Sequence, residues 1–151
     1  MTAATTAATT HTPAEPGLDV VIPALDAAGH IEATLAALAE GRDGGLVRQV
    51  LVVDGGSRDD TAARARRAGA TVIAGPRGRG PQLAAGAAAS AARWLLFLHA
   101  DTRLAPGWSA PVRAFIASAA GEDRAAVFAL AFDDPSRAAR ALARLANWRA
   151  R

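Results

Sequence analysis

A chain of 151 residues is long enough for one domain, and the absence of cysteine excludes disulfides and thiolate metal sites. The formal net charge of +3 comes from 17 basic residues, all of them Arg, set against 14 acids interspersed along the chain, a balance that does not point to nucleic acid as a partner. No segment reaches the roughly 18 uninterrupted apolar residues of a membrane span, and the start lacks the basic and apolar blocks of a secretory signal, so a soluble cytoplasmic protein is expected.

Residues 1–18, "MTAATTAATTHTPAEPGL", are rich in Thr and Ala, carry two prolines and show no apolar period. They predict a disordered tail, with a single domain over 19–151. "LDVVIP" is a β-branched run stopped by Pro23 and predicts a first strand. Ile31, Leu35 and Leu38 then recur at helical spacing and predict one helix within "GHIEATLAALAE", ended by Gly41 and the Gly44-Gly45 pair. "QVLVVD", from Gln49, predicts a second strand running into Asp54. A second helix follows, with Ser57 and Asp60 spaced as a capping box. "TVIAG" predicts a third strand and "PRGRGP" a loop, with Pro81 suited to the first turn of a third helix. "RWLLFLH" is apolar without a break and predicts a fourth strand buried on both faces. A helix after Pro106, a fifth strand "AAVFALAF" and a last helix capped by Asp134 complete the order.

Strands alternating with helices predict an α/β sandwich with a mostly parallel sheet, whose strand ends line one rim where ligands bind. Polar groups fall on that rim after each of the four early strands: Asp26, Asp54, the Arg77/Arg79 loop, then His99 and Asp101. In "VVDGGS", Gly55 and Gly56 leave room beside the backbone and Asp54 can accept from a ribose hydroxyl or a base N–H; a turn held by local hydrogen bonds reads equally well. On a straight strand His99 and Asp101 face the same side. Asp is a hard oxygen ligand for Mg²⁺ or Mn²⁺, and His suits Mn²⁺ better, but a turn-capping Asp beside a satisfied His fits the same residues. Arg77 and Arg79 in a glycine-rich loop before a helix N-terminus make a phosphate or sugar clamp, or an exposed basic loop. Neither a P-loop nor a dinucleotide fingerprint is present. In the last helix Arg137, Arg140 and Arg144 share a face that can rest on an anionic membrane or face water, with Leu142, Leu145 and Trp148 elsewhere.

Four blocks in order, "VVIPALDAAGHIEATLAAL", "VLVVDGGSRDDTAARARRAGA", "PRGRGPQLAAGAAAS" and "LLFLHADTRLAPG", resemble the family-two glycosyltransferases of the GT-A fold over roughly residues 19–107. "FDDPS" is similar to a bacterial subgroup with His-Ala-Asp in place of Asp-x-Asp. The resemblance implies a GT-A sandwich and a nucleotide-diphospho-sugar donor carrying UDP or GDP. It implies that Pro23 lines the base pocket, with Asp26 where the family usually has Asn. Asp54 and Gly55 would lie at the base or ribose, Arg77 and Arg79 near the diphosphate or sugar, and Asp101 with His99 on a divalent cation, Mn²⁺ or Mg²⁺. The implied chemistry is inverting displacement at the anomeric carbon, the metal offsetting charge on the departing diphosphate. Members continue into an acceptor-binding half that supplies the general base. That half is expected to be missing here, and no base is assigned to Asp133 or Asp134. Three readings follow: a glycosyltransferase completed by another chain or a homodimer partner, a binding module without turnover, or a basic interaction protein that uses its last helix.

Overall fold

The computed structural model describes residues 17–119, 124–132, 134 and 136–149. The chain divides after Ser118 into two units, and the expected domain over 19–151 spans both. Residues 1–16 of the expected tail lie outside the described residues, and Leu18 already belongs to the first strand.

The first unit holds a four-stranded sheet of order β3-β2-β1-β4, parallel throughout. Its strands are β1 (Leu18–Ala24), β2 (Val47–Asp54), β3 (Thr71–Ala74) and β4 (Trp94–Phe97). All seven residues of β1 are buried, as befits a strand with a neighbour on each side and cover on both faces. Alternate residues of β1 serve different layers. Val20 and Ile22 join Ile31, Leu35, Leu38, Trp108 and Ile116 on one face. Val21 joins Leu51 and Val53 on the other, against Leu83 and Ala85. The first layer is therefore built by α1 (Ile31–Ala36), α2 (Ala39–Asp43), α3 (Thr61–Arg67) and α5 (Ser109–Ser118), and the second by α4 (Arg79–Ala88).

Several local expectations change. The single first helix is two helices, because Gly41 N–H bonds the carbonyl of Leu38 and leaves that of Ala37 for the Trp108 indole N–H, at 3.0 Å. Gly41 does not end the helix; it lies within α2, where a Cβ would come within 2.6 Å of the Trp108 ring. Glycines in left-handed conformation do follow α2 and α3, at Gly45 and Gly69. The Ser57/Asp60 capping box is absent. The helix starts at Thr61, and Asp59 accepts the Thr61 N–H at 2.9 Å. Strand β4 is at the sheet edge, so its residues are half-buried and Phe97 is exposed, where burial on both faces is the sequence expectation.

At the amino end of the sheet, the fully buried Asp19 accepts from Gln49 Nε2 at 2.7 Å and Ser90 Oγ at 2.5 Å. These bonds tie β1 to β2 and to the turn before β4, away from the carboxyl rim.

In the second unit, residues 124–132 form no strand, against the expectation from "AAVFALAF". A strand needs a ladder partner, and here the Asn147 side-chain amide takes its place. Asn147 Oδ1 accepts the Leu130 N–H at 2.7 Å, and its Nδ2 donates to the Leu130 carbonyl at 2.9 Å. The last helix, α6 (Arg137–Arg149), is capped by Ser136, whose Oγ accepts the Ala139 N–H at 3.1 Å, and not by Asp134, which accepts from Ser136 N–H. Arg137, Arg140, Arg144 and Leu142 are exposed, and nothing of the Leu145 and Trp148 side chains falls within the described residues. Among the described residues no helix is long and apolar enough to cross a membrane.

Two predictions follow from the packing. Gly86 sits mid-helix against the sheet, and a Cβ there would lie 2.3 Å from Val21 Cγ1. Helix propensity favours Ala over Gly by about 1 kcal/mol, whereas overpacking against a buried strand costs about 1–3 kcal/mol. Gly86→Ala is expected to lower the denaturant midpoint, while Gly29→Ala, in open space, leaves it nearly unchanged. The second concerns Glu40, which accepts the N–H groups of Ser109 and Gly107, each at 2.8 Å, at the start of α5. The Ser109 and then the Gly107 backbone bonds hold its carboxyl below the ordinary 4.5. A lowered folded value means the contribution is complete above 4.5 and is lost as pH falls through the folded value. Glu40→Gln should flatten that acid limb when unfolding midpoints are compared across pH.

Candidate functional site

The carboxyl ends of β1 and β4 and the amino end of α4 enclose a cleft of about 350 Å³. It is lined by Pro23, Asp26, His30, Gln82, His99 and Asp101, together with Arg79 and its neighbour Gly78. Of the residues singled out in the sequence, Pro23, Asp26, Arg79, His99 and Asp101 thus meet in one place. Asp54, Gly55 and Arg77 are not in the lining.

Asp54 acts through its neighbours. Its carboxylate accepts from Ser57 Oγ at 2.5 Å and Ser57 N–H at 3.2 Å. Ser57 Oγ in turn accepts the Asp26 N–H at 2.9 Å, and Asp26 Oδ1 accepts the Arg58 N–H at 2.7 Å. Two more bonds close the same seam: Ala27 N–H to Thr61 Oγ1 at 2.7 Å, and Ala28 N–H to Asp59 Oδ2 at 3.0 Å. The bond from the Thr61 hydroxyl, then that from Ala28 N–H, holds the Asp59 carboxyl below its ordinary value. The turns after β1 and β2 are therefore laced together by main-chain donors and side-chain oxygens.

This lacing explains Asp26. The residue has φ of 48°, a left-handed conformation that Asn and Asp tolerate better than most. Its use of the side chain is as an acceptor, a role that Asp and Asn share.

His99 and Asp101 stand in a turn and not on a straight strand. Strand β4 ends at Phe97, and Thr102 N–H bonds the His99 carbonyl at 3.1 Å. Between them the Ala100 carbonyl accepts from the buried Thr34 hydroxyl at 2.8 Å, which pins the turn to α1. Both side chains remain exposed at the cleft. Among the described residues no three His, Asp or Glu side chains cluster as a metal centre. One carboxylate and one imidazole leave most of a shell to other oxygens, a donor set that fits a divalent ion shared with a diphosphate.

Helix α4 begins at Arg79, two residues before Pro81, with Gly78 at φ 111° as its cap. The cap places Arg79 at the cleft, with its N–H at the start of the helix and outside the helical ladder, an arrangement suited to an anion. Gln82, Thr61, Thr34 and His30 escape the sequence reading. Only Gln82 leaves a signal there, as the lone polar residue between Pro81 and Ser90 in an otherwise apolar helical run.

Residues 19–144 match the model of the family described as glycosyl transferase family 2. No curated protein matches the chain. Among solved structures, glucosyl-3-phosphoglycerate synthase from Mycobacterium tuberculosis in complex with Mn²⁺, UDP and glucosyl-3-phosphoglycerate is 31% identical with a TM-score of 0.52, over 56% of this chain and 33% of that one. The UDP complex of the same enzyme is 32% identical with a TM-score of 0.53, over 57% and 34%. A structure described as a mycobacterial protein is 34% identical with a TM-score of 0.52, over 56% and 31%. The chain thus spans about a third of the length of these solved relatives. With a family match over most of its length and an all-parallel α/β sheet shared with these neighbours, the chain belongs to glycosyl transferase family 2, in a GT-A-like fold.

Proposed function

We propose that this chain binds a nucleotide-diphospho-sugar, with UDP or GDP as the nucleotide, and serves its metal-assisted, inverting transfer to an acceptor. The observation that carries the reading is the meeting of Arg79, the α4 amino end, His99 and Asp101 in one cleft beside the apolar Pro23, Ala24 and Leu25. The solved relatives bound to UDP and Mn²⁺ support it.

The residues divide the work by chemistry. Pro23, Ala24 and Leu25 offer the apolar wall for the base. Arg79, with its guanidinium and the N–H at the start of α4, offsets the charge of the diphosphate. Asp101, with His99, holds the divalent cation; when bound, that ion supplies positive charge against the charge growing on the leaving diphosphate. The acceptor's proton needs a carboxylate. Asp26 and Asp101 are the two that line the cleft. Asp26 is engaged by the Arg58 N–H, and Asp101 is assigned to the metal. In this reading the base comes from a segment or chain that completes the acceptor side. The same shortage favours a second reading, a module that binds the nucleotide-sugar without turning it over.

Calorimetric titration of UDP and GDP, with and without Mn²⁺, tests the site. Manganese-dependent binding is expected for wild type. Asp101→Ala should weaken it by roughly 10- to 100-fold or more, as loss of a metal ligand exceeds loss of an outer partner. Failure of both nucleotides to bind under every condition overturns the donor site. Release of free sugar from a bound UDP- or GDP-sugar supports the enzyme, and tight binding without it supports the module.

A further inference from the structure

Gln82 has a hydrogen-bonding capacity that the fold leaves half used. It lies in the first turn of α4, is only 4% exposed and lines the cleft. Its Nε2 donates to the Ala24 carbonyl at 2.8 Å and the Val53 carbonyl at 3.1 Å, which uses both amide protons. The amide cannot be turned over, because Oε1 would then face two carbonyl oxygens that can only accept. Gly55 adds a steric limit, since a Cβ there would come within 2.5 Å of Nε2. The ends of β1 and β2 thus hold this amide in one orientation.

Its oxygen is spent on nothing. Among the described residues Oε1 has no hydrogen-bond partner, and it is not one of the polar atoms sealed away from solvent. A side chain buried to this degree with an open acceptor at a cleft is prepared for a donor from outside. The cleft's carboxylates, Asp26 and Asp101, are the alternatives for such a donor, and both have other assignments.

We propose that Gln82 Oε1 is a fixed, neutral acceptor that recognises an N–H or O–H donor on the nucleoside part of the nucleotide-sugar. The assignment rests on the nucleotide-sugar reading of the cleft. A nucleobase with an imide N–H, such as uracil or guanine, and a ribose hydroxyl both carry the required donor.

The test compares UDP, N3-methyl-UDP and 2′,3′-dideoxy-UDP by calorimetry with Mn²⁺ present, on wild type, Gln82→Met and Gln82→Lys. Met removes both ends of the amide; Lys keeps N–H donors for the two carbonyls and has no acceptor. Wild type is expected to bind one analogue roughly 3- to 10-fold more weakly than UDP, the worth of one hydrogen bond. Loss with the methylated base assigns the imide, and loss with the dideoxy compound assigns the ribose. In the variants UDP should weaken by a similar factor and that analogue should bind no worse than UDP. A merely structural Gln82 predicts the opposite: UDP and both analogues weaken together, with their ratios unchanged. That result overturns the proposal, as does a wild type that discriminates against neither analogue, an outcome independent of how the variants fold. If wild type binds UDP and the ratios fail, only Gln82 is reassigned. If wild type binds neither UDP nor GDP, the nucleotide reading falls and the Gln82 assignment with it.

Discussion

One oxygen atom, the carbonyl of Ala24 at the end of β1, joins the parts that make the cleft. It accepts the Gly55 N–H at 2.9 Å from the turn after β2 and the Gln82 amide at 2.8 Å from α4. Three separate segments therefore meet where the sheet stops. The position is stiff because the strand behind it is buried along its whole length, with hydrogen-bonded neighbours on both sides. The absence of a side chain at Gly55 is what leaves room for the Gln82 amide, since a Cβ there would come within 2.5 Å of its Nε2.

The lacing of the two rim turns is a second consequence of the same closeness. Main-chain N–H groups at the end of a parallel strand have no ladder partner and must find another acceptor. Here Ser57, Asp59, Thr61 and Asp26 supply the oxygens. Much of the polar character of this rim is thus structural. The polar side chains of the cleft lining that stand outside this lacing are His30, Arg79, Gln82, His99 and Asp101. Asp54 illustrates the division, since its carboxylate is occupied by Ser57 and acts on the cleft through the turn that it shapes.

The sheet and the rim were legible because their signals are local. β-Branched runs marked β1 and β2, and Asp26, Arg79, His99 and Asp101 stood at strand or loop ends. What was hidden depended on partners distant in sequence. The carbonyl left open at the break between α1 and α2 is taken by Trp108, and the bonds of Asp59 before α3 belong to a seam with the β1 turn. The run from Ala125 to Phe132 is apolar throughout, like a buried strand, yet strand formation is decided by the neighbour, and among the described residues the Asn147 amide takes both backbone groups of Leu130. Gln82 was a lone polar residue whose purpose only the two carbonyls beside it disclose.

The turn from His99 to Thr102 ties the cleft to the core. Residues two apart on an extended strand are spaced about 6.6 Å along it, and their side chains run parallel. A reverse turn shortens that span, and here it sets both side chains on the lining of one cleft. The turn is held from outside by the Thr34 hydroxyl on Ala100, the residue between the two. The backbone between two lining residues is thus held by a buried threonine of α1 that is not itself in the lining, so the core reaches the cleft through one hydroxyl.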